Sequence, residues 1–176
     1  MENEQAKTIE ALQFAIQMEI DGKEFYQKAS RECDNKIAKG LYDWLATEED
    51  GHRKRFEEIY KAIKNKKAWP EINIKPKKAK KLSILLSKAT EAVCPIIEAP
   101  SAELEVAAKA MDMENKTHDF YQSQGEKAKY DTEKKFFKAL AAEERGHYLA
   151  LVDYREYLVD PAGWFRKAEH HSLDGG

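Results

Sequence analysis

The sequence predicts an all-α protein: a four-helix bundle built from two repeated helical hairpins joined by one long crossover. Three observations carry that prediction. The composition is the first. Of 176 residues, 35% are charged and 42% hydrophobic, with only 8 Gly and 5 Pro, a balance that favours long amphipathic helices over sheets. The second is an internal repeat. Met18-Glu19 followed by Phe25-Tyr26-Gln27 returns as Met113-Glu114 followed by Phe120-Tyr121-Gln122, an offset of 95 residues. Leu45-Ala46-Thr47-Glu48-Glu49-Asp50-Gly51-His52 returns as Leu140-Ala141-Ala142-Glu143-Glu144-Arg145-Gly146-His147 at the same offset. The third is apolar spacing of three and four residues through each copied segment.

The helices follow in order. In the first, Ile9, Leu12, Ile16, Glu19 and Tyr26 share a face. Cys33-Asp34-Asn35 signals the turn that ends it. The second places Ile37, Leu41, Leu45, Glu49, His52, Phe56, Ile59 and Ile63 on one stripe. Residues 65–100 form the crossover, with Trp69-Pro70, Pro76 and a short amphipathic stretch from Leu82 to Val93. About 36 residues, at roughly 3.3 Å each, can run the length of a bundle. Ser101 is the expected N-cap of the third helix, with Glu103 and Glu105 favourable in its first turn. Its stripe is read as Leu104, Ala108, Met111, Glu114, His118 and Tyr121. Asp131 or Thr132 is the expected cap of the fourth helix, which carries Phe136 or Phe137, Leu140, Glu144, His147, Leu151, Tyr154 and Leu158. Asp160-Pro161-Ala162-Gly163 stops it. Residues 1–160 are thus expected to form the bundle and 161–176 a C-terminal extension.

Several function classes are excluded at this level. The formal net charge of −2 gives no bulk electrostatic case for nucleic-acid binding. No apolar run approaches the roughly 18 residues of a membrane span. The opening MENEQAKTIE is acidic and polar, unlike a secretory signal. Cys33 and Cys94 form no CxxC pair and are expected to be inert. The expected compartment is the cytoplasm.

Each stripe is apolar except where Glu or His interrupts it. Glu19 and Glu49 lie about equally far from the first turn, so they face each other across the hairpin. Glu114 and Glu144 do the same in the second copy. Glu49 and His52, like Glu144 and His147, are three apart and point the same way. Four Glu and two His should therefore converge at mid-bundle. Four buried carboxylates would repel one another and be costly to desolvate; two divalent cations balance them. Oxygen-rich sites with a few imidazoles suit iron or manganese. One Glu from each of two helices and Glu-x-x-His from each of the others is a known di-iron and di-manganese ligand set. A lone Glu-x-x-His means little, but two copies with both spacings kept do not arise readily from surface ion pairs.

On these residues the sequence resembles the ferritin-like domain of rubrerythrins and related small di-iron proteins, over nearly the whole chain. The resemblance implies two iron ions per site, with manganese or zinc as alternatives. It implies Glu49 and Glu144 as bridging carboxylates, Glu19 and Glu114 as terminal ligands, and His52 and His147 as imidazole ligands. Tyr26 and Tyr121, seven residues after Glu19 and Glu114, resemble tyrosines that hydrogen-bond to ligand carboxylates. The implied activity is a non-haem di-iron oxidoreductase that reduces hydrogen peroxide or dioxygen with electrons from an external donor, such as a rubredoxin. A homodimer is expected on the same ground. Two departures stand out. Met111 occupies the position of an additional glutamate, and no rubredoxin domain with paired CxxC motifs is present. Alternative readings are a ferroxidase serving iron storage or delivery, and a non-enzymatic, metal-stabilised interaction or sensor module.

Smaller features complete the reading. His118 lies four residues after Glu114, but its repeat counterpart is Lys23, so a half-buried polar histidine is the simpler account. Glu48 and Glu143 sit one position off the stripe and are expected to face a neighbouring helix or solvent. The nine lysines from Lys61 to Lys81 suit a solvated crossover or a docking patch for an acidic redox protein. His170 and His171 are read as polar tail residues.

Overall fold

A computed structural model of the chain describes residues 2–65, 69–70 and 101–164, with side chains from residue 6 onward. Four long helices make up the fold: α1 (Glu2–Glu32), α2 (Lys36–Lys64), α3 (Ser101–Lys127) and α4 (Asp131–Val159). No strand occurs among the described residues. α1 packs on α2 and α3 on α4 as two hairpins, which then pack together. The expected all-α bundle of repeated hairpins is the observed one. No helix among the described residues is long and apolar enough to cross a membrane.

Local chemistry explains the helix ends. Asn35 caps α2: its side-chain oxygen accepts from the N–H of Ile37 at 2.9 Å and of Ala38 at 3.4 Å. The start of α4 differs from the expectation. Asp131 is already helical, and Tyr130 takes the cap position without a side-chain bond. Glu133 does the work instead, accepting from the backbone N–H groups of Lys129 and Tyr130. At the other end of α4, Asp160 Oδ1 accepts from Gly163 N at 2.8 Å, and Trp164 N donates to Asp160 O at 2.9 Å. This single turn folds Trp164 back onto α4.

Two apolar clusters fill the bundle, one on each side of its middle. The first joins Tyr26, Leu41, Tyr42, Leu45, Leu151 and Tyr154. The second joins Leu12, Phe56, Ile59, Tyr121, Phe137 and Leu140. Each such side chain contributes roughly 1.5–3 kcal/mol by leaving water. The first cluster takes the beginnings of α2 and α3; the second takes their ends. α2 thus ends beside the second cluster, and α3 begins beside the first, on the far side of the bundle's middle. Trp69, early in that link, packs its ring 5.8 Å from Phe136 and 5.9 Å from Phe137. The Leu82–Val93 stretch, most of the lysine run, Cys94, His170 and His171 lie outside the described residues.

The stripe on α3 is turned relative to the one expected. Ala107, Ala110, Glu114, Thr117 and Tyr121 are buried, Ala108 is exposed, and Met111 and His118 are half-buried. Small residues on both candidate faces leave the choice to packing rather than to hydrophobicity.

Candidate metal centre

Between the two apolar clusters, the helices turn their polar exceptions inward. α1 and α3 supply Glu19 and Glu114. α2 supplies Glu49 with His52, and α4 supplies Glu144 with His147. None of the six is more than 4% exposed. They form two overlapping quartets: Glu19, Glu49, His52 and Glu144, and Glu49, Glu114, Glu144 and His147. Within each quartet one donor atom per residue lies within 4.8 Å of the others. Glu49 and Glu144 belong to both.

The donor atoms crowd together without satisfying one another. His52 Nδ1 lies 2.8 Å from Glu144 Oε1 and 3.4 Å from Glu19 Oε2. Yet all three atoms are buried without a hydrogen-bond partner among the described residues. Buried polar atoms are nearly always paired, so orphans aimed at a common point are what a cation would satisfy. His147 Nδ1 is 3.0 Å from Glu144 Oε2, 3.5 Å from Glu114 Oε2 and 3.7 Å from Glu49 Oε1. Hard carboxylate oxygens with one imidazole per quartet are a donor set for iron or manganese. The residues present fit a pair of divalent cations.

A family model described as Rubrerythrin matches residues 10–153. This chain belongs to the rubrerythrin family. It is also similar to a solved structure, hypothetical protein Pfu-1136390-001 from Pyrococcus furiosus. The two share 27% identity over 85% of this chain and 89% of that one, with a TM-score of 0.64. A comparison with curated proteins found no match.

The tyrosines cross between hairpins. Tyr26 of α1 donates its hydroxyl hydrogen bond to Glu114 of α3, and Tyr121 of α3 donates to Glu19 of α1. Sequence spacing places each tyrosine on the face of the glutamate in its own helix. The structure shows that each one serves the partner helix instead. Burial raises both phenols' pKa values, and the facing carboxylates Glu114 and Glu19 add to it. They therefore remain hydrogen-bond donors.

The histidines are held differently. His52 Nε2 lies 2.8 Å from Glu143 Oε2, which also accepts from Arg55 at 2.9 Å. That contact fixes the ring so that Nδ1 faces the cluster. Glu143 does not face solvent: it is a positioning residue reached from a neighbouring helix. The repeat gives no signal for Arg55, whose counterpart is Ala150. At His147 the edge of Trp44 packs against the ring, 5.4 Å between centroids. The two imidazoles themselves stack at 5.5 Å, 17° from parallel. His118 is not part of the centre; it pairs at the surface with Asp119 at 3.0 Å. Met111 packs against the first apolar cluster, so no fifth carboxylate enters from that position.

Charge and burial pull the cluster in opposite directions. Burial, with Glu19 and Glu144 nearby, pushes the carboxyl of Glu49 well above its usual range. Burial pushes Glu114 up to about 7 against the pull of His147. Burial also raises Glu144, but His52 and His147 outweigh it and hold that carboxyl low. Burial works against a proton on His147, yet Glu144 and Glu114 push it up to about 10. His52 is raised in the same way by Glu144 and Glu19. The cluster thus draws positive charge to its centre, as protons or as metal ions.

Proposed function

We propose that this protein is a non-haem di-iron oxidoreductase that reduces hydrogen peroxide or dioxygen with electrons from an external donor. The observation that carries the reading is the pair of buried quartets sharing Glu49 and Glu144. In this reading Glu19, Glu49, His52 and Glu144 hold one iron, and Glu49, Glu114, Glu144 and His147 hold the other. Bound iron supplies the electrons that reduce the oxidant. The remaining work belongs to the chain. The shared carboxylates keep the two positions close enough to act together. Tyr26 and Tyr121 orient the unshared carboxylates and place a phenolic proton beside each. Glu143 and Arg55 lock His52. The two apolar clusters flank the site and limit water along the bundle axis. A separate redox protein restores the electrons. We place the protein in the cytoplasm, as a homodimer.

An anaerobic Fe(II) titration tests this reading. The expected result is two iron ions per chain at saturation, with a bridged di-ferric absorption band appearing on addition of peroxide. A protein that bound no iron tightly, or whose bound iron reacted with peroxide no faster than free iron, would sink it.

A further inference from the structure

Five oxidisable rings run in file from Glu114 to the protein surface. Tyr26, hydrogen-bonded to Glu114, stacks on Tyr42 with centroids 6.1 Å apart. Tyr42 meets Tyr154 edge-on at 6.2 Å. Tyr154 lies 6.4 Å from Tyr157, and Tyr157 lies 5.9 Å from Trp164. The first three rings are fully buried and the last two half-buried. Trp164 lines a surface cavity of about 250 Å³ at the end of α4, with Arg155, Glu156 and Asp160 among its walls.

The repeat shows that packing does not call for these phenols. Position 42 corresponds to Phe137, and position 154 to Ile59. Tyr42 is the sharper case, because its hydroxyl is buried without a hydrogen-bond partner among the described residues. An unpaired buried hydroxyl costs about 1–3 kcal/mol, so phenylalanine would pack there at lower cost. On the other side of the cluster, Tyr121 is surrounded by Phe56, Phe120 and Phe137. Benzene rings are not oxidised at potentials that reach tyrosine and tryptophan. Among the described residues one side of the centre therefore has an unbroken oxidisable path, while on the other Phe137 stands between Tyr121 and Trp69.

We propose that Tyr26, Tyr42, Tyr154, Tyr157 and Trp164 carry single oxidising equivalents from the carboxylate–histidine cluster to the surface at the end of α4. There a small thiol or another one-electron reductant quenches them. The proposal rests on the peroxide-reducing reading of the cluster given above. Hydrogen peroxide takes two electrons and two solvent protons to become two waters. Where iron held by the cluster would supply only one of these electrons, Tyr26 supplies the other, and its phenolic proton shifts along the existing hydrogen bond to Glu114. Tyr154 refills Tyr26 by electron transfer through Tyr42, and the Tyr26 proton returns with the electron. The proton of oxidised Tyr154 shifts to Glu103, which accepts its hydrogen bond at 2.8 Å. Among the described residues Tyr42 has no proton acceptor of its own, so it is oxidised only in passing, keeping its proton, and does not store the radical. Tyr154 then regains its proton from Glu103 and its electron from Trp164 by way of Tyr157, which leaves the deficit on Trp164 at the surface. A thiolate returns the electron and leaves as a thiyl radical, two of which pair as a disulfide.

The test compares wild type with Tyr42→Phe in the full chain. Iron-loaded protein is mixed with excess peroxide, then ascorbate, freeze-quenched and read by electron paramagnetic resonance with ring-deuterated tyrosine. In wild type a tyrosine radical forms and ascorbate removes it. In Tyr42→Phe the radical persists an order of magnitude longer, while the thermal unfolding midpoint stays level or rises. Equal lifetimes in the two proteins, or no tyrosine radical in wild type, would overturn the proposal. A second arm needs no iron: a photo-oxidised ruthenium trisbipyridine complex injects the deficit at the surface of the full chain. Tyr42→Phe is expected to abolish the part of the tyrosine signal that Tyr26→Phe also abolishes. If iron fails to bind, the di-iron reading falls and this arm decides alone; an unchanged signal in Tyr42→Phe overturns the path.

Discussion

On one side of the carboxylate cluster Tyr26 packs against Tyr42, which in turn meets Tyr154; on the other, Tyr121 packs against Phe56 and Phe137. The two sides are copies in sequence, and Tyr26 and Tyr121 keep the same role, as do the packing pairs Phe25 with Phe120 and Leu45 with Leu140. The residues that touch the ligand atoms are constrained by chemistry and stay duplicated. One layer further out only volume and apolarity are required, and there several pairs have diverged, from Tyr42 to Phe137 and from Leu41 to Phe136. The innermost comparison, between shared and unshared glutamates, predicts the largest effect. Glu49→Ala removes a donor from both quartets and is expected to abolish tight binding of both iron ions. Glu19→Ala removes a donor from one quartet and should leave one ion per chain. Counting bound iron in the two variants distinguishes them, and equal losses would break the two-quartet assignment.

The two histidines provide the next comparison. His52 is buttressed by Glu143 and Arg55, whereas the ring of His147 is packed by Trp44. Removing an outer partner of a ligand histidine typically costs about 10- to 100-fold in metal affinity. Glu143→Ala should therefore weaken one of the two binding steps by that factor and leave the other near its wild-type value. Loss in both steps alike would mean that Glu143 supports the bundle as a whole and not the orientation of one ring.

How much of this could be read from the chain depends on how far a residue's role is set by its own helix. Glu49 with His52, and Glu144 with His147, were legible because i and i+3 share a face whatever packs against it, and because the pattern occurs twice. Glu19 and Glu114 followed from equal distances to a turn. Tyr26 and Tyr121 were legible as residues near the cluster but not as partners of the opposite hairpin's glutamates, since nothing local encodes how hairpins pack. The α3 stripe failed for a related reason. Ala107, Ala108, Ala110 and Met111 offer two nearly equal faces, and the choice fell to tertiary contacts; His118 moved out with Ala108. Glu143 is one position off its stripe, but its side chain is long enough to reach His52 across the helix interface.

A reciprocal exchange sharpens the contrast between the two sides at smaller energy. Tyr42→Phe removes a buried hydroxyl that lacks a partner and should be neutral or slightly stabilising. Phe137→Tyr places a hydroxyl where the side chain is 2% exposed among Phe56, Phe136 and Tyr121. It should cost about 1–3 kcal/mol. Urea unfolding of both variants at constant iron loading reads the difference. Equal and opposite effects are not expected, because the wild-type chain already carries the strain at Tyr42.

The smallest effect comes from the hairpin turns. α2 begins at Asn35, whose side chain accepts two backbone N–H groups, while α4 begins at Tyr130 without a side-chain cap. Asn35→Ala should cost about 1 kcal/mol, the usual value of a lost cap. At Tyr130 the ring is 67% exposed, so little packing is at stake, and the backbone already has the extended conformation of a cap, φ −100° and ψ 139°. Tyr130→Asn should therefore stabilise α4 by up to about 1 kcal/mol, less if Glu133 already satisfies part of the first turn. Thermal unfolding of both variants settles the sign. A loss at Tyr130→Asn would mean that the bonds from Glu133 to the N–H groups of Lys129 and Tyr130 are the cap, and that an asparagine there competes with them.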